Sequence, residues 1–522
     1  MDSTKDAYAF SAEGKDSDTA AVSTITGSGV YNIVGDIRAA DGGILTLDLA
    51  EGSRFEGKAV LDSGNDSQST LTMAKNSLWT LTGNSQLNSL QNEQSVIDMT
   101  GDNKAFSTLS VETLTGNGGT IIMDIDGSQV DASDKIYVTG DFSGSQTLSL
   151  KEINGLDSDP GIGQAAENTV LASVNGSGTF TADDQEGTLY WQRYELGQKD
   201  SAASGYTTDW YLKGITNLNL PTTSVEAIAA SGALAYHTWR DHDQLLQRLG
   251  DLRQHGREEE GVWVRVKGGK LSRSDQFEFE NKYTQYELGY DQKLKSTPAY
   301  TRYAGISFSY LDGDSSYSSG SGENKVKALN IYGTQIGAKG HYLDLVLKYS
   351  QLDNDFKVFD TSGNKITGDY DQNGLSISAE YGRKNNLKNN WYIEPQAQLT
   401  FGRLRGTDYT TSNGIRVDQD GIDSFVGRIG FNIGKDINEK TNIYLKANLM
   451  HEFGGGYNAS MVDAGGTKAR LDRDFDDTWF EYGLGAAVQT GKNNYFYVDV
   501  ERSAGSDYKK DWQWNVGARW SF

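Results

Sequence analysis

The sequence predicts an all-β protein: a right-handed parallel β-helix stalk, then a linker α-helix inside a 12-stranded antiparallel transmembrane β-barrel. Three observations predict it. Long segments of strict apolar/polar alternation begin at Gly261, the connections between them alternate long and short, and one helical run precedes them.

Composition sets the outer bounds. The chain has 522 residues, 61 glycines, 4 prolines, no cysteine and a net charge of −23. That length exceeds what one hydrophobic core normally supports. Hydrophobic residues make up only 36%, but they recur in strand-sized groups separated by Gly, Asn, Asp and Ser, which argues for order rather than disorder. Without cysteine, stability has to come from extended sheet pairing rather than disulfides. The acidic balance repels phosphate backbones, so nucleic acid is not expected as a partner. No run of about 18 apolar residues offers a transmembrane helix. A polar, acidic stretch follows Met1 where a signal peptide would be apolar, so the sequence is expected to start after the natural N-terminus.

The barrel reading rests on period and parity. The last segment places Trp512, Trp514, Val516, Ala518, Trp520 and Phe522 on one face, against Gln513, Asn515, Gly517, Arg519 and Ser521. Trp391, Ile393, Pro395, Ala397, Leu399 and Phe401 alternate with Tyr392, Glu394, Gln396, Gln398 and Thr400 in the same way. A soluble sandwich also has strands with one apolar face. These segments, however, run for about 10–14 residues, enough to cross a membrane at a tilt, whereas ordinary strands average about 5–6. Long connections are expected near 272–281, 312–324, 355–370, 404–422, 454–476 and 503–510. Short ones are expected near 296–300, 338–340, 385–390, 438–440 and 491–494. Long loops on one side and tight turns on the other mark outer-membrane barrels. The apolar face then meets lipid, while Glu380, Glu394, Arg428, Glu452, Glu481, Asp499, Glu501 and Arg519 line the lumen.

Between Pro221 and Gly256 the pattern turns helical. Thr223 and Glu226 have capping-box spacing, and Val225 to Arg253 contains no proline. Ser231, His237, Arg240, Asp241, Gln244 and Arg248 interrupt its apolar run. Such a helix could cap a soluble domain. Placed before a polar lumen, it is expected to thread the pore, with Arg240, Gln244 and Arg248 meeting Glu380, Glu394, Arg428, Glu452 and Glu481. His237 and His242 are five apart, not at the i,i+4 spacing of a zinc pair, so no metal site is expected. The run Glu258, Glu259 and Glu260 reads as a solvated face.

Short strand-like pieces occupy the first 130 residues: Val30–Val34, Ile44–Leu49, Thr70–Met73, Leu78–Leu81, Val96–Met99 and Leu109–Leu114. None can form a core alone. Stacked as rungs, each buries its neighbour's inward face.

Specific stretches resemble a known family. Ser77-Leu78-Trp79-Thr80-Leu81-Thr82-Gly83-Asn84-Ser85 and Phe106-Ser107-Thr108-Leu109-Ser110-Val111 resemble rung motifs of pertactin-like and AIDA-like type Va autotransporters. Asp134-Lys135-Ile136-Tyr137-Val138-Thr139-Gly140 resembles the opening of their C-terminal passenger core. Arg248-Leu249-Gly250-Asp251-Leu252-Arg253 resembles the end of their linker helix. Terminal Trp520-Ser521-Phe522 resembles the signal read by the barrel-assembly machinery.

The resemblance implies four regions: a β-helix fragment at 1–100, an autochaperone core at 101–215 containing Trp191 and Trp210, a linker helix at 216–256, and the translocator barrel at 257–522. It implies outer-membrane localisation with a surface-exposed passenger. The implied partners are lipopolysaccharide, the assembly machinery, periplasmic chaperones and a host or bacterial surface receptor. No cofactor is implied. Some family members cut their own linker at an Asn-Asn pair, where an asparagine side chain cyclises. Asp243 and Gln244 stand at the matching positions, so Asn-type self-cleavage is not expected. An adhesin-like, non-enzymatic passenger is the leading expectation. The alternatives are an enzymatic passenger in preceding sequence and a plain barrel adhesin or porin. Asp62-Ser63-Gly64 lacks the preceding glycine of a serine-protease motif and reads as a turn.

Overall fold

A computed structural model of the chain describes residues 8–15, 20–62, 66–101, 105–154, 168–249, 260–491 and 493–522. Ser63 and Gly64 of the turn motif, the linker end at 250–256, and Glu258 and Glu259 lie outside the described residues. Two compact units emerge. The first is 1–220 with 465–467, and the second is 221–464 with 468–522.

The first unit is a β-solenoid. Parallel ladders stack strands from successive turns of the chain: 32–34, 54–56, 78–80, 96–98, 117–126, 145–154 and 179–182 form one, and 22–25, 44–49, 68–73, 85–92, 108–115, 135–142 and 170–176 another. Register puts like on like, as Leu47 beside Leu71 and Ile97 beside Ile121. This is why each short strand carries two or three alternating apolar residues: a rung gains a core only from the rungs on either side. The expected strands at Ile44–Leu49, Thr70–Met73 and Leu78–Leu81 fall within two residues of the observed ones. One core runs from Ala12 to Leu212 and crosses residue 100 without interruption. Trp79, fully buried, stacks on Phe55 at 5.6 Å and donates its indole N–H to the Gly57 carbonyl at 2.9 Å. Antiparallel pairing of 208–221 with 170–176 ends the parallel stack, and Trp210 closes it edge-on to Phe180 at 5.6 Å.

Asp134, within the expected core-opening motif, is buried at the start of a rung. Its carboxylate accepts the Ser107 N–H at 2.6 Å and the Asp124 N–H at 2.7 Å, joining three successive strand segments. Burial pushes its carboxyl up to about 7 despite those two N–H donors, with Asp124 and Asp98 adding to the rise. Asp124 itself is raised to about 6, chiefly by burial.

The second unit is a closed antiparallel barrel of 12 strands. They are β1 (Gly261–Arg273), β2 (Phe279–Ser296), β3 (Tyr300–Tyr317), β4 (Gly320–Gly337), β5 (His341–Phe359), β6 (Lys365–Arg383), β7 (Trp391–Leu404), β8 (Ile422–Asn438), β9 (Thr441–Glu452), β10 (Thr478–Gln489), β11 (Asn494–Ala504) and β12 (Tyr508–Ser521). Closure pairs Gly261 with Ser521 through to Arg273 with Tyr508, leaving no open edge in hydrocarbon. The faces fall as the alternation requires. Leu399, Phe401, Trp512 and Trp520 are exposed outward, while Glu394, Gln398, Gln513 and Arg519 are buried inward.

Four expected long loops are corrected: 503–510 narrows to 505–507, and three others shorten as well. The stretch 312–324 is a hairpin whose turn is only Ser318 and Ser319, and 355–370 narrows to 360–364. The loop near 272–281 narrows to 274–278. Ser, Asp and Gly there suggest loop by propensity, but pairing with a neighbour overrides propensity. The loops 404–422 and 454–476 also carry strands, Thr407–Thr410, Arg416–Gln419, Gly456–Val462 and Lys468–Asp474, which form a small sheet. Strands therefore reach 19 residues rather than about 14.

Candidate functional site

The barrel lumen is filled by helix α1 (Thr223–Arg240) and the short α2 (Leu245–Leu249). Nearly every residue of α1 is buried, on all its faces. A helix buried all round needs a surrounding wall, and the barrel supplies one. Its small residues, Ala227, Ala229, Ala230, Ser231, Gly232 and Ala233, let the wall and the small loop sheet approach closely. A Cβ on Gly232 would lie 2.6 Å from the Tyr457 hydroxyl. The cap sits one residue earlier than the capping box suggested: Thr222 Oγ1 accepts the Val225 N–H at 3.4 Å.

The run expected to be one helix to Arg253 breaks after Arg240, and the chain is extended at Asp241. Ion pairing accounts for the break. Asp241 lies 3.0 Å from Lys267 and 2.9 Å from Lys510. Asp243 lies 2.5 Å from Arg265 and 3.2 Å from Lys267. In a continuous helix, residues two apart do not face the same way. Unwinding lets both carboxylates reach the same patch of wall.

The expected contacts are distributed as follows. Arg240 lies 3.7 Å from Glu452, with its guanidinium 4.6 Å over the Trp479 ring. Tyr236 donates to Glu452 at 2.7 Å. Arg248 reaches Asp344 at 2.7 Å, an acid not named from sequence, and it stacks 4.4 Å over Tyr332. Gln244 contributes its backbone: its carbonyl accepts the Gln247 and Arg248 N–H groups and opens α2. Glu380 accepts the Leu245 N–H at 2.9 Å and pairs with Arg428 at 3.2 Å. Glu394 accepts from Gln396 at 2.8 Å, and Glu481 pairs with Lys510 at 3.1 Å. Glu501 takes the Gln247 side-chain amide at 2.9 Å.

Arg265, Lys267, Asp344 and Lys510 carry much of this pairing and were not singled out from sequence. A signal existed for two of them. Arg265 and Lys267 alternate with Val262, Val264 and Val266, which places them on the inward face of β1. Around the other end of the lumen, Trp263, Tyr332, Tyr342, Tyr392, Tyr444 and Tyr497 each lie over a glycine of an adjacent strand, where any Cβ would overlap the ring. Trp520 and Phe522 lie at the end of the chain with exposed side chains.

Comparison with known proteins places this geometry. The family model "Autotransporter beta-domain" matches residues 262–501, and "Pertactin" matches residues 87–214. The chain belongs to the autotransporter family. This autotransporter is 28% identical over 545 residues to the probable autotransporter YcgV of Escherichia coli (strain K12), across 96% of this chain and 55% of that protein. It is 28% identical over 544 residues to the pertactin autotransporter of Bordetella bronchiseptica, across 93% of this chain and 56% of that one. The serine protease pet autotransporter of Escherichia coli O44:H18 is 26% identical over 469 residues, across 87% of this chain and 34% of its own length. The chain spans about half the length of the first two relatives. The autotransporter's barrel resides in the outer membrane, and its β-solenoid is the exported passenger.

Proposed function

We propose that the barrel of this autotransporter anchors the chain and serves as the exit route for its passenger, which acts at the cell surface as a non-enzymatic adhesin or aggregation factor. The observation that carries the reading is the linker lying in the lumen with Asp241, Asp243, Arg240 and Arg248 each ion-paired to the wall. Unpaired charges in that dry interior would be costly, so the charges of wall and linker belong together. Of the lumen residues proposed from sequence (Arg240, Gln244, Arg248, Glu380, Glu394, Arg428, Glu452 and Glu481), Arg240, Arg248, Glu380 and Glu452 hold the linker directly after export, and Arg428 and Glu481 support it through Glu380 and Lys510. Residues 101–215 act as the autochaperone core: a segment that buries apolar surface outside the cell does not readily slide back. Lipopolysaccharide, periplasmic chaperones and the assembly machinery are the partners, with Trp520 and Phe522 as the assembly signal.

Asp243 and Gln244 do not support Asn-type self-cleavage, because the Asp243 carboxylate is bound between Arg265 and Lys267. The passenger therefore stays attached unless another protease cuts it. The match to a serine protease autotransporter supports a second reading, an enzymatic passenger in sequence beyond this chain. Protease shaving of intact cells tests the first. Loss of the β-solenoid with survival of a heat-modifiable barrel fragment is expected, and protection of both halves would overturn it.

A further inference from the structure

We propose that the lipid-facing wall of the barrel holds one glycerophospholipid of the periplasmic leaflet, with its phosphate at Lys435 and an acyl chain in the adjacent groove. The outward residues of β8 run Phe431, Ile433, Lys435, Ile437. A lysine thus interrupts an apolar run, with exposed Ile437 lying still nearer the short turn at 439–440. Among the described residues Lys435 has no ion pair, and its ammonium lies 5.6 Å from the Trp391 ring. A lysine near the membrane surface is drawn to anionic headgroups by about 1 kcal/mol, and the anion available at that depth is a lipid phosphate.

The groove supplies the other half of the site. Ala486 on β10 lies between Ile443 and Val498 in the same row of the sheet. The small side chain leaves a channel between larger ones. It continues past Leu445, Leu484 and Trp391 with a volume of about 450 Å3, and its lining is almost wholly apolar. Lys435 stands at its rim. The short turns mark the periplasmic side, so the leaflet concerned is the phospholipid one and not the lipopolysaccharide one.

The test is native mass spectrometry of the full chain in detergent, titrated with phosphatidylglycerol. The wild type is expected to retain one lipid. K435Q should weaken retention about fivefold, the value of one cation near a lipid headgroup. A486F, which fills the groove from a lipid-facing position, should weaken it about tenfold or more. Heat-modifiable migration on a gel establishes that each variant is folded, and K435Q decides the matter alone if A486F is not. Retention unchanged in a folded K435Q, displacement of the lipid by inorganic phosphate, or retention of lipid A alone would each overturn the assignment.

Discussion

Asp134 is held between two opposing effects. Two backbone N–H groups favour its carboxylate, while complete burial favours the neutral acid and prevails, raising it to about 7. Because the folded value lies above the unfolded one of 3.8, the associated stability is fully present below about pH 4 and is lost as pH rises toward 7. The isolated passenger is therefore expected to have a higher denaturant midpoint at pH 5 than at pH 7.5, and Asp134→Asn should flatten that slope. Asp134→Ala removes both acceptors and should cost about 1–3 kcal/mol for each N–H left unpaired, read by urea unfolding. At the barrel, Arg248→Ala leaves the buried Asp344 without its guanidinium. A loss of about 3–5 kcal/mol is expected, seen as unfolding of the heat-modifiable form at lower temperature.

At the scale of elements, the linker break deserves the closest test. Asp241 and Asp243 share Lys267, so Asp241→Asn with Asp243→Asn removes two partners of one lysine at once. In planar bilayers this double variant should show more frequent pore opening than the wild type. Deleting residues 221–256 should open the pore more fully, and equal conductance in all three would sink the plug reading. The sequence made the barrel strands legible because lipid outside and polar lumen inside impose strict alternation. Leu375 and Ile377 exposed beside buried Ser376 and Ser378 display it in the structure. Hairpin arms such as Asp312 to Tyr317 were not legible, since beyond the membrane only the partner strand holds them extended. The linker break was invisible for a related reason: its cause, the cluster of Arg265, Lys267 and Lys510, lies on strands distant in sequence. Asp344 as the partner of Arg248 was not legible either, as only register brings it there.

Over the whole molecule, charge is unevenly divided. Residues 1–220 hold 31 of the 71 acidic but only 12 of the 48 basic side chains, a net −19, which leaves −4 for the rest. The barrel half is nearly neutral because its inward acids are matched by Arg and Lys. The passenger has too few basic side chains to match its acids, and its self-repulsion opposes compaction. Raising the ionic strength from about 0.01 to 0.15 M shortens the screening length from about 30 to 8 Å. The passenger's unfolding temperature should therefore rise with salt over that range, while the barrel's changes less. A passenger that loses stability with added salt would contradict this picture.

The unwound residues between α1 and α2 also determine where mechanical load goes. When a surface-bound passenger is pulled from outside, tension runs down the linker backbone. The first charged tethers it meets are Arg240 on Glu452, then Asp241 on Lys267 and Lys510, then Asp243 on Arg265, with Arg248 on Asp344 behind them. These bonds are loaded one after another along the linker, and each passes its share to a strand of the hydrogen-bonded cylinder. The grip of the protein under flow is then set by the shear strength of a ring of ion pairs, and only afterwards by the hold of the lipid.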